Sequence, residues 1–302
     1  MPDNRVFVPR LSRRLVLMGM GALVAAPALT GRAAPATPWK NDPFSLGVAS
    51  GSSSPDGFVL WTRLAPEPLN YAAETPAGMS GGDVPVGYEI AADPDFRAIL
   101  RKGSALAEAR YAYSVHAEVS GLAPGRPYWY RFLSGDAVSP VGRAMTMAAA
   151  GAMPDRLRLG FVSCAHYEQG YFSAYRHLAD ETPDFVLYLG DYIYEYVDRV
   201  SSDLVRKHSE DAETETLPAY RNRYAQYRLD RDLQRLHAQS AALITWDDHE
   251  VQNDYADMYS QTFDDPAKFL LRRAAGYQAF YEHMPLRAGA RPNGPSMRVY
   301  ER

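Results

Sequence analysis

The 302-residue chain is long enough for one large domain or two ordinary ones. Hydrophobic residues make up 46% of the chain and charged residues 23%, a globular balance with ample apolar material for a core. Acidic residues outnumber basic ones by 36 to 32, and a net charge of −4 gives no support to a nucleic-acid partner held by bulk charge.

Residues 1–36 have the pattern of an export signal. Arg13 and Arg14 precede an apolar run over residues 15–29, and Ala-Pro-Ala at 34–36 has the spacing of a signal-peptidase site. The run is too short and too rich in glycine and alanine for a membrane span, so we expect no stable span in the mature form. The arginine pair resembles a twin-arginine (Tat) signal, which predicts passage through the Tat export machinery and a periplasmic or secreted protein. An ordinary secretory signal is the alternative.

Residues 38–147 have the pattern of a small all-β domain. Short strand-like runs, such as residues 57–62 and 86–90, alternate with turn residues. The turn at residues 121–125, followed by Tyr128, is typical of a fibronectin-like β-sandwich. A run of small residues then forms a predicted linker.

From residue 154 onward the pattern changes to alternating strands and helices. Short apolar runs predict buried strands at residues 157–163, 184–189 and 241–246. Helical spacing is found at residues 171–180, 217–236 and 265–283, with Tyr220, Tyr224, Tyr227, Leu233 and Leu236 as candidate inner positions of the second helix. This alternation predicts an α/β layer structure with a largely parallel sheet, and so a multidomain α+β chain overall.

Each of the three predicted strands ends in a polar cluster. These clusters are residues 163–167, residues 190–195 and residues 247–250, with Asn253 close behind the last. Ligands of open α/β sheets bind outside the carboxyl ends of the strands, so the three clusters should meet at one crevice. Adjacent carboxylates repel each other, and a cation between the strand ends relieves that repulsion. The combination of carboxylates and imidazole therefore favours a hydrolytic metal centre over simple turn chemistry.

Cys164 is the only cysteine of the chain and lies in the first of these clusters. A single cysteine cannot form an internal disulfide in an exported protein. On its own it could be a buried inert thiol, half of an intermolecular bridge, or a metal ligand.

Seven runs of the sequence carry a family resemblance. They are PFSLGVASG from Pro43, GFVLWTRL from Gly57, FVSC from Phe161, LGDYIYEY from Leu189, YRNRYAQYR from Tyr220, TWDDHEVQNDYA from Thr245 and LRRAAGYQAFYEHMPLR from Leu271. Together they resemble the PhoD-like alkaline phosphatases and phosphodiesterases of the calcineurin-like metallophosphoesterase superfamily, over essentially the whole chain. The resemblance implies a fibronectin-like N-terminal β-sandwich at residues 38–147. It implies that residues 154–302 belong to a four-layer α/β/β/α metallophosphoesterase domain that binds Fe3+ and Ca2+.

The resemblance also implies an iron site. Cys164 matches the family's thiolate ligand to Fe3+, and Tyr194 matches the phenolate ligand. Asp191 matches the carboxylate that bridges iron and calcium. Tyr192 and Tyr196 alternate with Tyr194 along the same run, and only the family pattern singles out Tyr194.

On the calcium side, the resemblance assigns Asp248 to Ca2+, with Asn253 as a second candidate. His249 would lie near the substrate phosphate as a hydrogen-bond donor or proton donor. The implied activity is hydrolysis of phosphoric monoesters, diesters or both by metal-activated water or oxide.

The family's metal domain continues past residue 302, so the resemblance predicts that this chain is truncated at its C-terminal side. One alternative is therefore a catalytically inactive truncated form or a β-sandwich binding protein. A closer alternative is a phosphodiesterase that acts on phospholipid or teichoic acid.

Overall fold

The computed structural model describes residues 38–70 and 75–299. The predicted signal at residues 1–36 and its cleavage site beside Thr37 lie outside the described residues. In the described part of the chain, no helix combines the length and the apolar character that a membrane crossing needs.

The described residues form eleven strands and four α-helices. The strands are β1 (Val48–Ser54), β2 (Gly57–Arg63), β3 (Val84–Ala91), β4 (Ile99–Ala107), β5 (Ser114–Val119), β6 (Pro127–Ser134), β7 (Ala137–Val138), β8 (Gly142–Met145), β9 (Leu159–Val162), β10 (Phe185–Leu189) and β11 (Ala241–Thr245). The helices are α1 (Ser173–Asp180), α2 (Leu217–Arg228), α3 (Arg231–Gln239) and α4 (Pro266–His283). One mixed sheet and one antiparallel sheet, together with the helices, make this an α+β protein.

The larger sheet joins the two halves of the chain. Its strand order is β5-β2-β1-β11-β10-β9. Strands β9, β10 and β11 are parallel, and β1 continues the parallel part by pairing with β11, with Ser50 opposite Ala241. Strands β2 and β5 then follow in antiparallel pairing. Strand β1 precedes the predicted linker and its partner β11 follows it, so strands of residues 38–147 share a sheet with the later strands. The boundaries of the two predicted domains stay a prediction.

The smaller sheet has the order β4-β3-β6-β7, with β8 paired to the other part of β6. Apolar side chains from both sheets form one buried cluster, to which Phe58 and Val115 contribute from the larger sheet and Tyr130 and Phe132 from the smaller one. Burial of these large side chains from water is the main force that holds the two sheets together.

The predicted helix at residues 217–236 is two helices. Helix α2 ends at Arg228, and Asp230 caps α3 by accepting hydrogen bonds from the backbone N–H groups of Asp232 and Leu233, at 2.9 and 3.2 Å. Asp is a strong N-cap residue because its carboxylate satisfies N–H groups that have no partner within the helix. The predicted inner positions are correct, since Tyr220, Tyr224, Tyr227, Leu233 and Leu236 are all buried.

The prediction that β9 is a buried strand is wrong. Leu159 is 56% exposed and Phe161 is 76% exposed. Strand β9 is the edge of the larger sheet, and only its other face is covered, where Gly160 lies against Leu178 of α1. An apolar run predicts a strand, but it does not say whether both of its faces are covered.

Candidate metal centre

The turns after β9 and β10 bring the ends of these two strands together. Cys164, Gly190 and Asp191 all have positive φ angles, of 54°, 96° and 52°. The backbone N–H of Cys164 donates to the carbonyl of Gly190 at 3.4 Å, and the N–H of Ala165 donates to the carbonyl of Asp191 at 3.2 Å. Left-handed backbone is uncommon outside glycine and is often concentrated at functional sites.

Glycine is required at position 190 for a second reason. A Cβ atom there would lie 2.4 Å from the Cβ of Asp247 and 2.5 Å from its backbone nitrogen. The absence of a side chain therefore lets the end of β10 approach the end of β11.

Three of the predicted site residues lie together at these strand ends. Asp191, Asp248 and His249 each offer one ligand atom, and these atoms are all within 4.8 Å of one another. Asp191 and His249 are buried, whereas Asp248 is half-buried. The Asp248 carboxylate accepts hydrogen bonds from the backbone N–H groups of His249, at 3.0 Å, and Asp254, at 2.5 Å.

Tyr194 packs against this group. Its hydroxyl donates to Oδ2 of Asp191 at 3.1 Å, and its ring centroid lies 4.2 Å from that of His249. Burial, together with the negative charges of Asp191 and Cys164, raises the pKa of Tyr194 above its ordinary value. The other oxygen of Asp191, Oδ1, is buried and has no hydrogen-bond partner among the described residues. A buried carboxylate oxygen without a partner is costly unless a cation balances it.

Cys164 is not a member of the group of three, and Asn253 is bonded elsewhere. Cys164 is exposed, so it is not the buried inert thiol that was one of the alternatives. Asn253 donates its backbone N–H to Glu195 at 2.7 Å and its side-chain amide to Asp254 at 3.1 Å. The roles of both residues as ligands stay predictions.

Two further acidic residues lie beside the centre. Glu250 accepts hydrogen bonds from the backbone N–H groups of Tyr192, at 2.6 Å, and Asp247, at 2.8 Å, so it ties the end of β10 to the end of β11. Burial raises the pKa of Glu250 to about 7, with the charge of Asp191 adding to the effect. Burial and the charges of Asp191 and Asp248 also raise the pKa of Asp247. This excess of negative charge is what a bound cation would relieve.

Two residues of the predicted polar clusters contact this centre, although the sequence analysis gave neither of them a role. Glu195 binds Nδ1 of His249 at 2.7 Å. The ring of His166 lies 4.4 Å from the ring of Tyr194. Burial alone would lower the pKa of His249, but the hydrogen bond and charge of Glu195, with Asp191 and Asp248, raise it above its ordinary value. A carboxylate within an otherwise aromatic run was the available signal for Glu195.

The donor set fits metal ions. Carboxylate and amide oxygens suit Ca2+, whereas a phenol and a thiol become strong anionic donors when a more acidic cation deprotonates them. Asp191, whose Oδ1 has no hydrogen-bond partner among the described residues, belongs to the same group as Asp248 and His249. The residues therefore fit a metal centre, and they leave the identity of the metals open.

Comparison with known proteins identifies similar sequences and a similar structure. The sequence model of a family described as PhoD-like phosphatase matches residues 159–302, and that of the PhoD-like phosphatase N-terminal domain matches residues 30–148. Alkaline phosphatase D of Bacillus subtilis (strain 168) is 49% identical over 263 residues, which are 85% of this chain and 44% of the relative.

A solved structure described as "Structure of PhoD" is also similar, with 49% identity and a TM-score of 0.84 over 88% of this chain and 50% of that one. The chain thus spans about half the length of these relatives. The two family matches cover both halves of the larger sheet and all of the residues of the centre. The chain belongs to the PhoD-like phosphatase family.

Proposed function

We propose that this protein is an exported, metal-dependent hydrolase of phosphoric esters, acting on monoesters, diesters or both. The observation that carries the proposal is the meeting of Asp191, Asp248 and His249 within 4.8 Å at the carboxyl ends of β10 and β11. Phosphoryl transfer needs concentrated positive charge and correct positioning more than it needs a protein nucleophile. An acidic group that gathers cations beside a histidine meets both needs.

The metals that we propose are Fe3+ and Ca2+. Asp191, Tyr194 and Cys164 would hold the iron, and Asp191, Asp248 and Asn253 would hold the calcium. When bound, the two cations would neutralise the phosphate oxygens and activate a water molecule for attack.

The chain's own residues would orient the substrate. His249 has one ring nitrogen occupied by Glu195 and the other left for the phosphate ester. The hydrogen bond and charge of Glu195 raise the pKa of His249, which favours the protonated form that would donate a proton to the leaving oxygen. Packing of the Tyr194 ring against the imidazole restricts the rotation of His249.

The finer architecture is also part of the proposal. We infer that the N-terminal half is a fibronectin-like sandwich, supported by the hydrogen bond from the Tyr128 hydroxyl to the carbonyl of Ala123 at 3.0 Å. The later strands would belong to a four-layer α/β/β/α domain. The exposed apolar face of β9 is consistent with a further layer on that side.

Colour provides a test of the iron site. A phenolate bound to ferric iron absorbs visible light by charge transfer, and a bound thiolate adds to this absorption. Tyr194→Phe and Cys164→Ser should each weaken or shift the visible band of protein prepared with iron and calcium. Absorption spectra, with iron and calcium measured by elemental analysis, provide the readout.

Tyr277→Phe is a matched control, because the hydroxyl of that tyrosine shares a hydrogen bond with the Tyr255 hydroxyl, outside the centre. Chelation of calcium should abolish the release of phosphate from an aryl phosphate while most of the colour remains. A colourless protein that contains only zinc or magnesium would show that the iron assignment is wrong.

The arginine pair at positions 13 and 14 supports a proposed periplasmic or secreted location. Replacing both by lysine should block export, because the Tat machinery recognises the arginines and not merely their charge. Cell fractionation followed by immunoblotting measures the outcome. The double replacement Arg5→Lys and Arg10→Lys is the control and should leave export intact. Normal export of the first variant would indicate an ordinary secretory signal instead.

A further inference from the structure

Helix α2 is bonded to all three loops that follow the parallel strands β9, β10 and β11. The Tyr227 hydroxyl accepts the backbone N–H of Tyr167, in the loop after β9, at 3.2 Å. It also accepts the backbone N–H of Tyr194, in the loop after β10, at 3.1 Å. The Tyr220 hydroxyl donates to the carbonyl of Val251, in the loop after β11. The three loops that carry the predicted ligands are therefore held by side chains of one helix.

Arg223 holds the loop after β10 from a second side. Its Nη1 donates to the carbonyl of Tyr194 and to that of Tyr196, the latter at 3.2 Å. The backbone of Tyr194 is thus bonded at both of its polar groups, at the N–H by Tyr227 and at the carbonyl by Arg223. Positions 220, 223 and 227 lie on one face of the helix, and all three side chains are fully buried.

The Tyr227 hydroxyl uses its full hydrogen-bonding capacity. Both lone pairs accept backbone N–H groups, which leaves its own proton to donate to Nε2 of His208, at 3.3 Å. Tyr224 lies on the same helix and is as deeply buried, yet its hydroxyl has no hydrogen-bond partner among the described residues. A tyrosine that only fills the core does not need the contacts that Tyr227 makes.

We propose that α2 is the template of the candidate centre, and that Tyr227 is the positioning residue for two of the predicted iron ligands, Tyr194 and Cys164. One hydroxyl oxygen bonds the two loops that carry these ligands, so it fixes the separation of the loops. Cys164 lies three residues before Tyr167, and the backbone N–H groups of Cys164 and Ala165 both donate to the loop after β10. The two loops therefore form one unit that is attached to α2.

The consequence for metal binding rests on the proposed function. A phenolate and a thiolate hold one ion tightly only when the oxygen and the sulfur are kept at fixed positions around it. Residues that orient metal ligands typically contribute about 10–100-fold to metal affinity. Loss of the Tyr227 hydroxyl should thus loosen the iron site while every ligand remains in the chain.

Tyr227→Phe tests the contact in the full chain without added metal. The variant loses one hydroxyl and keeps the ring that fills the core. The backbone amide protons of Tyr167 and Tyr194 should exchange with solvent about 10-fold faster, because each loses its acceptor. Tyr224→Phe is the matched control and should leave both exchange rates unchanged, since its hydroxyl bonds to neither loop. Hydrogen–deuterium exchange followed by NMR measures the rates.

Iron affinity and colour test the positioning role. Tyr227→Phe should weaken iron binding by about 10–100-fold in competition with an iron chelator, and it should shift the visible band of the iron-loaded protein. Tyr224→Phe should change neither. Tyr220→Phe is a second comparison, because the Tyr220 hydroxyl bonds to the loop after β11, so its loss should leave the iron affinity and the band unchanged.

The outcomes separate the inference from the proposed function. Unchanged amide exchange in Tyr227→Phe, or equal acceleration in Tyr224→Phe, would overturn the inference. Full iron affinity in Tyr227→Phe, or an equal loss of affinity in Tyr220→Phe, would overturn the positioning role. An unmodified chain that binds no iron, with amide exchange as expected, would contradict the proposed function while the hold of α2 on the loops stands.

Discussion

Asp191→Asn should remove most metal binding and lower hydrolysis by about a thousand-fold or more, since the proposed bridging carboxylate would lose its charge, at a cost of several kcal/mol of transition-state stabilisation. The residue lies at the meeting point of the donors, with Oδ2 bonded to Tyr194 and Oδ1 without a protein partner among the described residues. Asn tolerates the positive φ of 52° at this position, so the backbone turn should survive. The expected loss of metal binding and activity would therefore come from the missing negative charge and not from a change of the backbone. Elemental analysis and kcat/KM measure the two effects.

Asp257→Asn is a suitable control for this variant. Asp257 has the same φ of 52°, but it is exposed and pairs with Arg273 at 3.0 Å. Its replacement should change neither the metal content nor the activity. If Asp191→Asn keeps a full complement of metal, Asp191 does not bridge the ions.

Gly190→Ala should destabilise the fold as well as the centre. The added Cβ would meet Asp247 at 2.4 Å, and the backbone has a φ of 96° that L-residues rarely adopt. Strain and overpacking together should cost roughly 2–6 kcal/mol of the free energy of unfolding, a large part of the total stability of a typical domain. Urea denaturation followed by circular dichroism measures this cost.

Gly81→Ala separates the two causes. Gly81 has a similar φ of 91°, and a Cβ atom there would have nothing within 4 Å. It should therefore cost only the backbone strain, about 1–2 kcal/mol. Equal losses of unfolding free energy in Gly190→Ala and Gly81→Ala would show that the close approach of the strand ends adds nothing to the cost at Gly190.

The sequence predicted most elements because their signals are local. Asp265 caps α4 and Pro266 occupies its first turn, and the helix ends at His283 as its pattern predicted. The break between α2 and α3 was missed because buried side chains keep helical spacing on both sides of Asp230. The exposure of β9 was missed because the sequence of a strand does not determine whether another element packs on each of its faces.

At the candidate centre, too, some features were predictable from the sequence and others were not. The meeting of Asp191 with Asp248 was predictable, because parallel strands present their carboxyl ends at one edge of a sheet. The pairing of Glu195 with His249 was not, because the two are 54 positions apart and the nearer Glu250 is the natural candidate. Which carboxylate reaches an imidazole depends on how the backbone turns after each strand.

The pairing of β1 with β11 has a consequence for folding during synthesis. Ala241, the partner of Ser50, is made roughly 190 residues later, which takes about 10–40 s at ~5–20 residues per second. During that time the inner edge of β1 has no neighbour, and an open strand edge can pair with other chains. Closure of the sheet also requires contacts between distant parts of the sequence, which form slowly. A newly made chain would therefore gain from a chaperone that covers β1 until β11 arrives.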